Sequence, residues 1–289
     1  MTQPAMRLES DGIEALVLAD PAGIDVVECD WGWPVAREVV ANRADAHGTI
    51  DSTTLYGARS ITVALHLADC PAEVRRRLQL FVDPSRRSWL YVRESPDDPE
   101  LRVRVRGSSW SEPVPAQVFV SRRRSIVVQW VAPDGALEAA VETEVTVPAT
   151  ETTPSAGVTT PITTPLVFPD SVPVGTATVV NAGTTDAYPV IRVYGPCDDP
   201  VLENLTADRK LVFDGLSIAA GSYVELDTRE RTVFAESDPT ASRYGYLDMS
   251  VSAWWSLAPG DNLVRLIPAT PVTSPAQMVI AFRDAYLNP

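Results

Sequence analysis

The chain has 289 residues, which at ~150 residues per domain suggests two domains, and its 24 basic and 38 acidic side chains leave a net charge of −14. A surface that acidic repels phosphate, which argues against binding nucleic acid through general basicity. A hydrophobic content of 45% is enough for packed cores and excludes a disordered acidic chain.

Only Lys210 among the basic residues is a lysine, a bias that reads as GC-rich coding rather than mechanism. Three cysteines (Cys29, Cys70 and Cys197) are widely spaced and form no CxxC pair, so the sequence offers no disulfide framework. The first residues, MTQPAMRLESDG, carry no apolar run behind a basic start, and no secretory signal is expected. No apolar stretch reaches the ~20 residues needed to cross a bilayer, so membrane insertion is not expected and synthesis in the cytoplasm is.

In chain order, residues 1–147 read as an N-terminal β domain. Strands are expected at Ile61–Leu67, which alternates apolar with small or polar residues, and at Ser88–Arg93, Leu101–Arg106, Ala116–Val120 and Ser125–Val131. One helix is expected over Pro71–Phe81, with Asp69 as its cap, Pro71 in its first turn and Val74, Leu78 and Phe81 on one face. Arg75, Arg76 and Arg77 would face largely away. This order suggests a β-sandwich or open barrel with a single packed helix.

Residues 148–169, with seven threonines, five prolines and the single charge of Glu151, read as an extended, semi-rigid linker. Acidic residues outnumber basic ones 22 to 16 before position 148 and 16 to 8 after it, so neither half is a basic arm.

Residues 170–289 read as a second β domain. Gly175–Val180 leads into Tyr188–Tyr194 through the turn at Asn181, and Lys210–Phe213 is expected to pair with Ser217–Ile218 across Asp214-Gly215. Ser222–Leu226 and Arg231–Phe234 flank a turn at Asp227. Strands at Ser250–Ser256, Asn262–Ile267 and Gln277–Ala285 complete the set, with a turn over Ala258–Asp261. Short strands at intervals near ten residues suggest a sandwich of jelly-roll type. The fold class is therefore mainly β, with two sandwich-type domains.

Chemistry is sparse. The two histidines, His47 and His66, have no Cys or His at ligand spacing, and no GxSxG, Walker or GxGxxG motif is present. The carboxylate pairs Asp97/Asp98 and Asp198/Asp199 sit in proline-flanked loops where Asp favours turns; a calcium site or glycosidase dyad is the sharper and weaker reading. No catalytic, metal or cofactor residue is assigned.

Two arginine clusters stand out. Arg102, Arg104 and Arg106 alternate with Leu101, Val103 and Val105, and Arg122, Arg123 and Arg124 precede another strand. The plain reading is a solvated sheet face; the sharper one is a subunit interface where arginine meets acidic neighbours bidentately. Trp254 and Trp255, if in a strand, would point one inward and one outward, the outer one toward an interface, a second layer or a sugar. Trp31 and Trp33 share a face if extended, and either close the sandwich or anchor a neighbouring subunit.

The segments Gly221-Ser-Tyr-Val-Glu-Leu-Asp-Thr-Arg-Glu-Arg-Thr-Val233 and Trp254-Trp-Ser-Leu-Ala-Pro-Gly-Asp-Asn-Leu263 resemble the C-terminal domain of siphophage distal tail proteins and related minor tail proteins. In that family a strand–acidic turn–strand hairpin precedes a W-x-x-L-x-P-G-x-N turn, here matched at Pro259, Gly260 and Asn262. Arg59-Ser-Ile-Thr-Val63, followed by the helix, is similar to the family's ring-forming N-terminal domain. The resemblance implies a structural virion protein at the tip of a long non-contractile tail, with a hexameric ring that joins the tail tube to tip, hub or fibre proteins. DNA would pass through the channel without specific binding, and the outer domain would be galectin-like or carbohydrate-module-like in fold. The Thr/Pro linker and the lack of an obvious large insertion depart from simple versions of the family. A carbohydrate-binding module for host attachment is the alternative function, and a glycoside hydrolase the weakest.

Overall fold

The computed structural model describes residues 5–18, 23–37, 41–42, 49–50, 55–68, 72–112, 123–149, 175–269 and 276–289. The chain divides into two units, Met1–Val141 with Ala285–Pro289, and Glu142–Asp284. Both are built from strands; α1 (Ala72–Phe81) is the one α-helix among the described residues. The expected strand at Ala116–Val120, Asp69, Cys70, Pro71, His47 and the Thr/Pro segment from Thr150 onward lie outside them.

The first unit contains β1 (Ala5–Ser10), β2 (Ile13–Val17), β3 (Ile24–Asp30), β4 (Ala36–Arg37), β5 (Ala41–Asn42), β6 (Thr49–Ile50) and β7 (Leu55–Tyr56). After these come β8 (Arg59–Ala68), β9 (Ser88–Arg93), β10 (Leu101–Ser111), β11 (Arg123–Ala132) and β12 (Leu137–Ala139). The main sheet runs β2-β1-β9-β10-β11-β8-β3. The alternation seen in the sequence sets its two faces: Ile61, Val63, Leu65 and Leu67 of β8 are buried, as are Leu101, Val103 and Val105 of β10.

One strand serves both halves of this sheet. Leu101–Val105 pairs with β9, whereas β10 from Arg106 onward pairs with β11, with a register shift between Gly107 and Ser109. A Cβ on Gly107 would sit 1.7 Å from the Val82 carbonyl oxygen, so only glycine lets the strand bend against that backbone. The fold-over encloses a single core. Leu78 and Phe81 of α1 join that core, and the buried Trp130 indole donates to the Phe81 carbonyl at 3.0 Å. This is the face expected for the helix; Val74 is partly buried beside it.

Arg59, at the start of β8, is 1% exposed. Its Nε donates to the Gly135 carbonyl at 2.8 Å and its Nη2 to the Leu287 carbonyl. Burial pulls its pKa down to about 10. The carbonyl of Leu287 is within reach because the chain returns to this unit at its end: β24 (Ala285–Tyr286) pairs with β12.

The second unit contains β13 (Thr143–Pro148), β14 (Thr176–Asn181), β15 (Val190–Tyr194), β16 (Cys197–Asp198), β17 (Val201–Asn204) and β18 (Arg209–Val212). It continues with β19 (Ser217–Ile218), β20 (Tyr223–Asp227), β21 (Thr232–Ala235), β22 (Gly260–Ile267) and β23 (Gln277–Phe282). A five-stranded sheet, β13-β23-β15-β20-β21, and a four-stranded sheet, β14-β22-β17-β18, form a sandwich. Its core takes Ile191, Val193, Leu226 and Ile280 from the first sheet and Val179, Leu202, Val264 and Leu266 from the second.

Several pairings differ from those expected. The hairpin β20–β21 forms across the Asp227 turn, but Lys210–Phe213 and Ser217–Ile218 do not pair. β18 pairs with β17 and β19 with β16, because Leu211 and Ile218 are both buried and Gly215, at φ +74, turns the chain between sheets. Likewise β14 and β15 belong to different sheets rather than one hairpin. Thr143–Pro148, read from sequence as the end of the first half, pairs along its length with β23 in the second unit. The last expected strand ends at Phe282, and Ala285–Tyr286 belongs to the first unit's sheet.

Candidate functional site

The expected strand at Ser250–Ser256 is irregular backbone. Both Trp254 and Trp255 are buried, at 8% and 2% exposure. The inward–outward split fails because period-two alternation applies only to a strand. No indole platform faces solvent there. Tyr244 instead stacks on Trp254, with centroids 6.5 Å apart.

Irregular backbone inside a sandwich must still satisfy its polar groups. Three asparagines, all at 0% exposure, do this. Asn181 Nδ2 donates to the carbonyls of Thr185 and Leu257 at 2.8 and 3.0 Å, and Asn204 Nδ2 to Ser256 at 3.1 Å. Asn262 Nδ2 donates to the carbonyls of Ala258 and Gly260 at 2.7 and 3.0 Å, while its Oδ1 accepts from the Ala258 N–H at 3.0 Å. Gly260 takes φ +88, a conformation that favours glycine. The Pro259, Gly260 and Asn262 motif is therefore a structural clamp on the segment that buries both tryptophans. Asn181 and Asn204 were not anticipated, since nothing in their spacing marks them as pins for a loop more than fifty residues away.

The arginine rows are where the N-terminal unit meets solvent. Arg102 lies over the Trp89 ring at 4.2 Å and pairs with Glu138 at 3.3 Å. On the same outward face, Arg7 lies over Tyr91 at 4.3 Å and pairs with Glu9 and Glu100 at 3.3 and 3.4 Å. Arg104 and Arg106 are exposed and have no ion-pair partner among the described residues. The second cluster behaves differently. Arg124 pairs with Glu112 at 2.6 Å, and Glu112 also meets Arg75 of α1 at 3.6 Å. Arg122 and the side chain of Arg123 lie outside the described residues.

Trp31 and Trp33 do not share a face. Gly32 turns between them at φ +57, its amide donating to Asp30 Oδ1 at 2.9 Å, and a Cβ there would sit 2.2 Å from the Ser60 carbonyl oxygen. Trp31 packs against the core, whereas Trp33 is 63% exposed, near-equal to Val35 and followed by exposed Leu55 and Tyr56 on β7. An apolar surface of this kind marks an interaction site more often than an isolated exposed residue does.

Among the described residues no group of three or more His, Cys, Asp or Glu could hold a metal ion, and no helix is long and apolar enough to cross a membrane. Burial and the neighbouring Asp30 and Glu94 push the Cys29 thiol up to about 12. Burial, with Asp198 and Asp199, pushes Cys197 up to about 11. Neither thiol is primed as a nucleophile.

Residues 182–286 match the SPP1 Dit family, described as the siphovirus-type tail component, C-terminal domain. The matched stretch takes in the β20–β21 hairpin and the Asn262 clamp. No curated protein matches the chain. Among solved structures, the Dit protein of phage SPP1, a paradigm of the hub adsorption apparatus in phages infecting Gram-positive bacteria, is similar over 97% of this chain and 98% of its own, at 14% identity and TM-score 0.61. A chain of the phage P2 baseplate in its activated, calcium-containing conformation aligns over 97% of this chain and 98% of its own, at 11% identity and TM-score 0.47.

Proposed function

We propose that this siphophage distal tail protein, a phage tail component by its residues 182–286, assembles with copies of itself into a ring at the tail tip. The ring, hexameric on this reading, joins the tail tube to the tip, hub or fibre proteins and surrounds the channel through which DNA leaves. The N-terminal unit builds the ring and the C-terminal unit faces the partners that attach to it. The protein acts by holding position and carries out no catalysis.

The observation that carries this reading is the outward arginine face of the first unit. Arg104 and Arg106 stand there without acidic partners among the described residues, and the same unit also exposes Trp33. In a chain of net charge −14, cations left unpaired have a ready complement in another copy. The acidity of both halves would also give the channel a wall that repels phosphate, so that DNA slides without sticking. Such a ring uses heterologous contacts that close.

Electron microscopy of the purified chain, with light scattering for mass, tests the ring. Closed rings are expected, and a strictly monomeric species at high concentration contradicts it. The carbohydrate-binding alternative loses its candidate platform with the burial of Trp254 and Trp255.

A further inference from the structure

The arginine face includes a cavity of about 270 Å³ whose lining includes Ser10, Asp11, Arg86, Arg87, Trp89 and Arg104. It lies where β9 begins, since Trp89 stands opposite Arg104 on β10 and opposite Glu9 on β1. The Arg102 guanidinium lies over the Trp89 ring, 4.2 Å from its centroid. Of the three lining arginines, Arg86 leans on Asp83 at 3.8 Å. Arg87 and Arg104 have no acidic partner among the described residues.

At the far end of the same hairpin, about 20 Å away at ~3.4 Å per residue, the β9–β10 turn carries Asp97 and Asp98. Both are exposed, and neither has an ion-pair partner among the described residues. Pro96 and Pro99 flank them, and the Asp98 amide donates to the Ser95 carbonyl at 3.1 Å, so the turn presents its carboxylates from a restrained backbone.

We infer that the Arg87–Arg104 cavity receives the Asp97–Asp98 turn of a second copy of this chain. The inference rests on the ring reading and supplies it with a contact. A closing head-to-tail assembly needs two different, complementary patches on one chain. One hairpin carries both, a basic cavity at one end and an acidic turn at the other. Guanidinium forks bind carboxylates bidentately, and Trp89 gives the acidic turn an apolar wall. A nucleic-acid backbone fits less well: Asp11 lines the cavity, only two of its cations are unpaired, and phosphate binding draws its strength from many such contacts.

Charge reversal tests the contact. Sedimentation of the full chain is compared with that of the Arg87→Glu/Arg104→Glu variant, the Asp97→Arg/Asp98→Arg variant, and the chain carrying all four changes. Each pair of reversals weakens self-association at least tenfold, and the fourfold variant recovers most of it, because the contact re-forms with its signs exchanged. Recovery also shows that the reversed chains fold. Association of normal strength in both reversed variants overturns the inference and leaves the ring standing. A wild-type chain that stays monomeric overturns the ring and this contact together. Loss of binding to a double-stranded oligonucleotide in the Arg87→Glu/Arg104→Glu variant, with association unchanged, assigns the cavity to DNA instead and also overturns it.

Discussion

The two units differ in how the arginines in the middle of their strands are partnered. In the C-terminal unit, two mid-strand arginines are matched from the neighbouring strand: Arg192 donates to Glu225 at 2.8 Å and Arg265 pairs with Glu203 at 2.5 Å. Its buried asparagines turn inward and fix irregular backbone. In the N-terminal unit the outward face stacks arginine on aromatic rings and leaves Arg104 and Arg106 without acids among the described residues. The mid-strand arginines of one unit close on acids within it; Arg104 and Arg106 of the other stand open among the described residues. A sheet face with unmatched cations is a better guide to assembly than the number of charges on it, because exposed pairs already closed within a chain contribute little.

The comparison breaks first at the points that define each fold. Gly107→Ala forces the Val82 backbone away from a methyl group 1.7 Å from its oxygen, and a loss of about 3 kcal/mol or more is expected in the N-terminal unit by denaturant unfolding. Asn262→Ala leaves two carbonyls and an amide of the Ala258–Gly260 turn without their partner, at a cost of about 2–4 kcal/mol to the C-terminal unit. Limited proteolysis should then cut within residues 253–260. Resistance there would mean that the asparagine clamp is not what holds the segment.

Smaller effects sharpen the contrast. Arg192→Met removes a matched pair, partly exposed, and should lower stability by up to ~1 kcal/mol. Arg104→Met should leave stability within ~0.5 kcal/mol while weakening self-association. Equal effects of the two on both readouts would erase the distinction between the units. The thiols give the smallest structural change and a clear chemical one. With pKa values raised to about 12 and about 11, Cys29 and Cys197 should alkylate at pH 8 at least ~100-fold more slowly than in unfolded chain, because only the thiolate reacts. Peptide mass spectrometry reads both sites, and rapid labelling of either would show that it is not held as described.

Much of the fold was legible because burial is written in period. Ile61–Leu67, Leu101–Arg106 and the helix face of Leu78 and Phe81 lie where alternation and helical spacing put them. Partnership was less legible. Asp214-Gly215 looks like a hairpin turn, yet the flanking strands join different partners, since period fixes which face is buried and not which strand lies alongside. The tryptophan pair shows the same limit. Its apolar character announces burial, but the backbone there is irregular and rests on the nearby Asn262 and on Asn181 and Asn204, two pins that are distant in sequence. Among the candidate surfaces, the alternating arginines were visible at once, whereas the cavity with Arg87 and Trp89 exists only after β9 and β10 are paired.

In the proposed ring, copies of this chain close on themselves through the N-terminal unit. Light scattering of the purified chain across concentration, with electron micrographs of the same sample, tests it most directly. Closed rings with a mass about six times that of the chain are expected, as a hexamer requires. A single species of monomer mass at the highest concentration reached would contradict it.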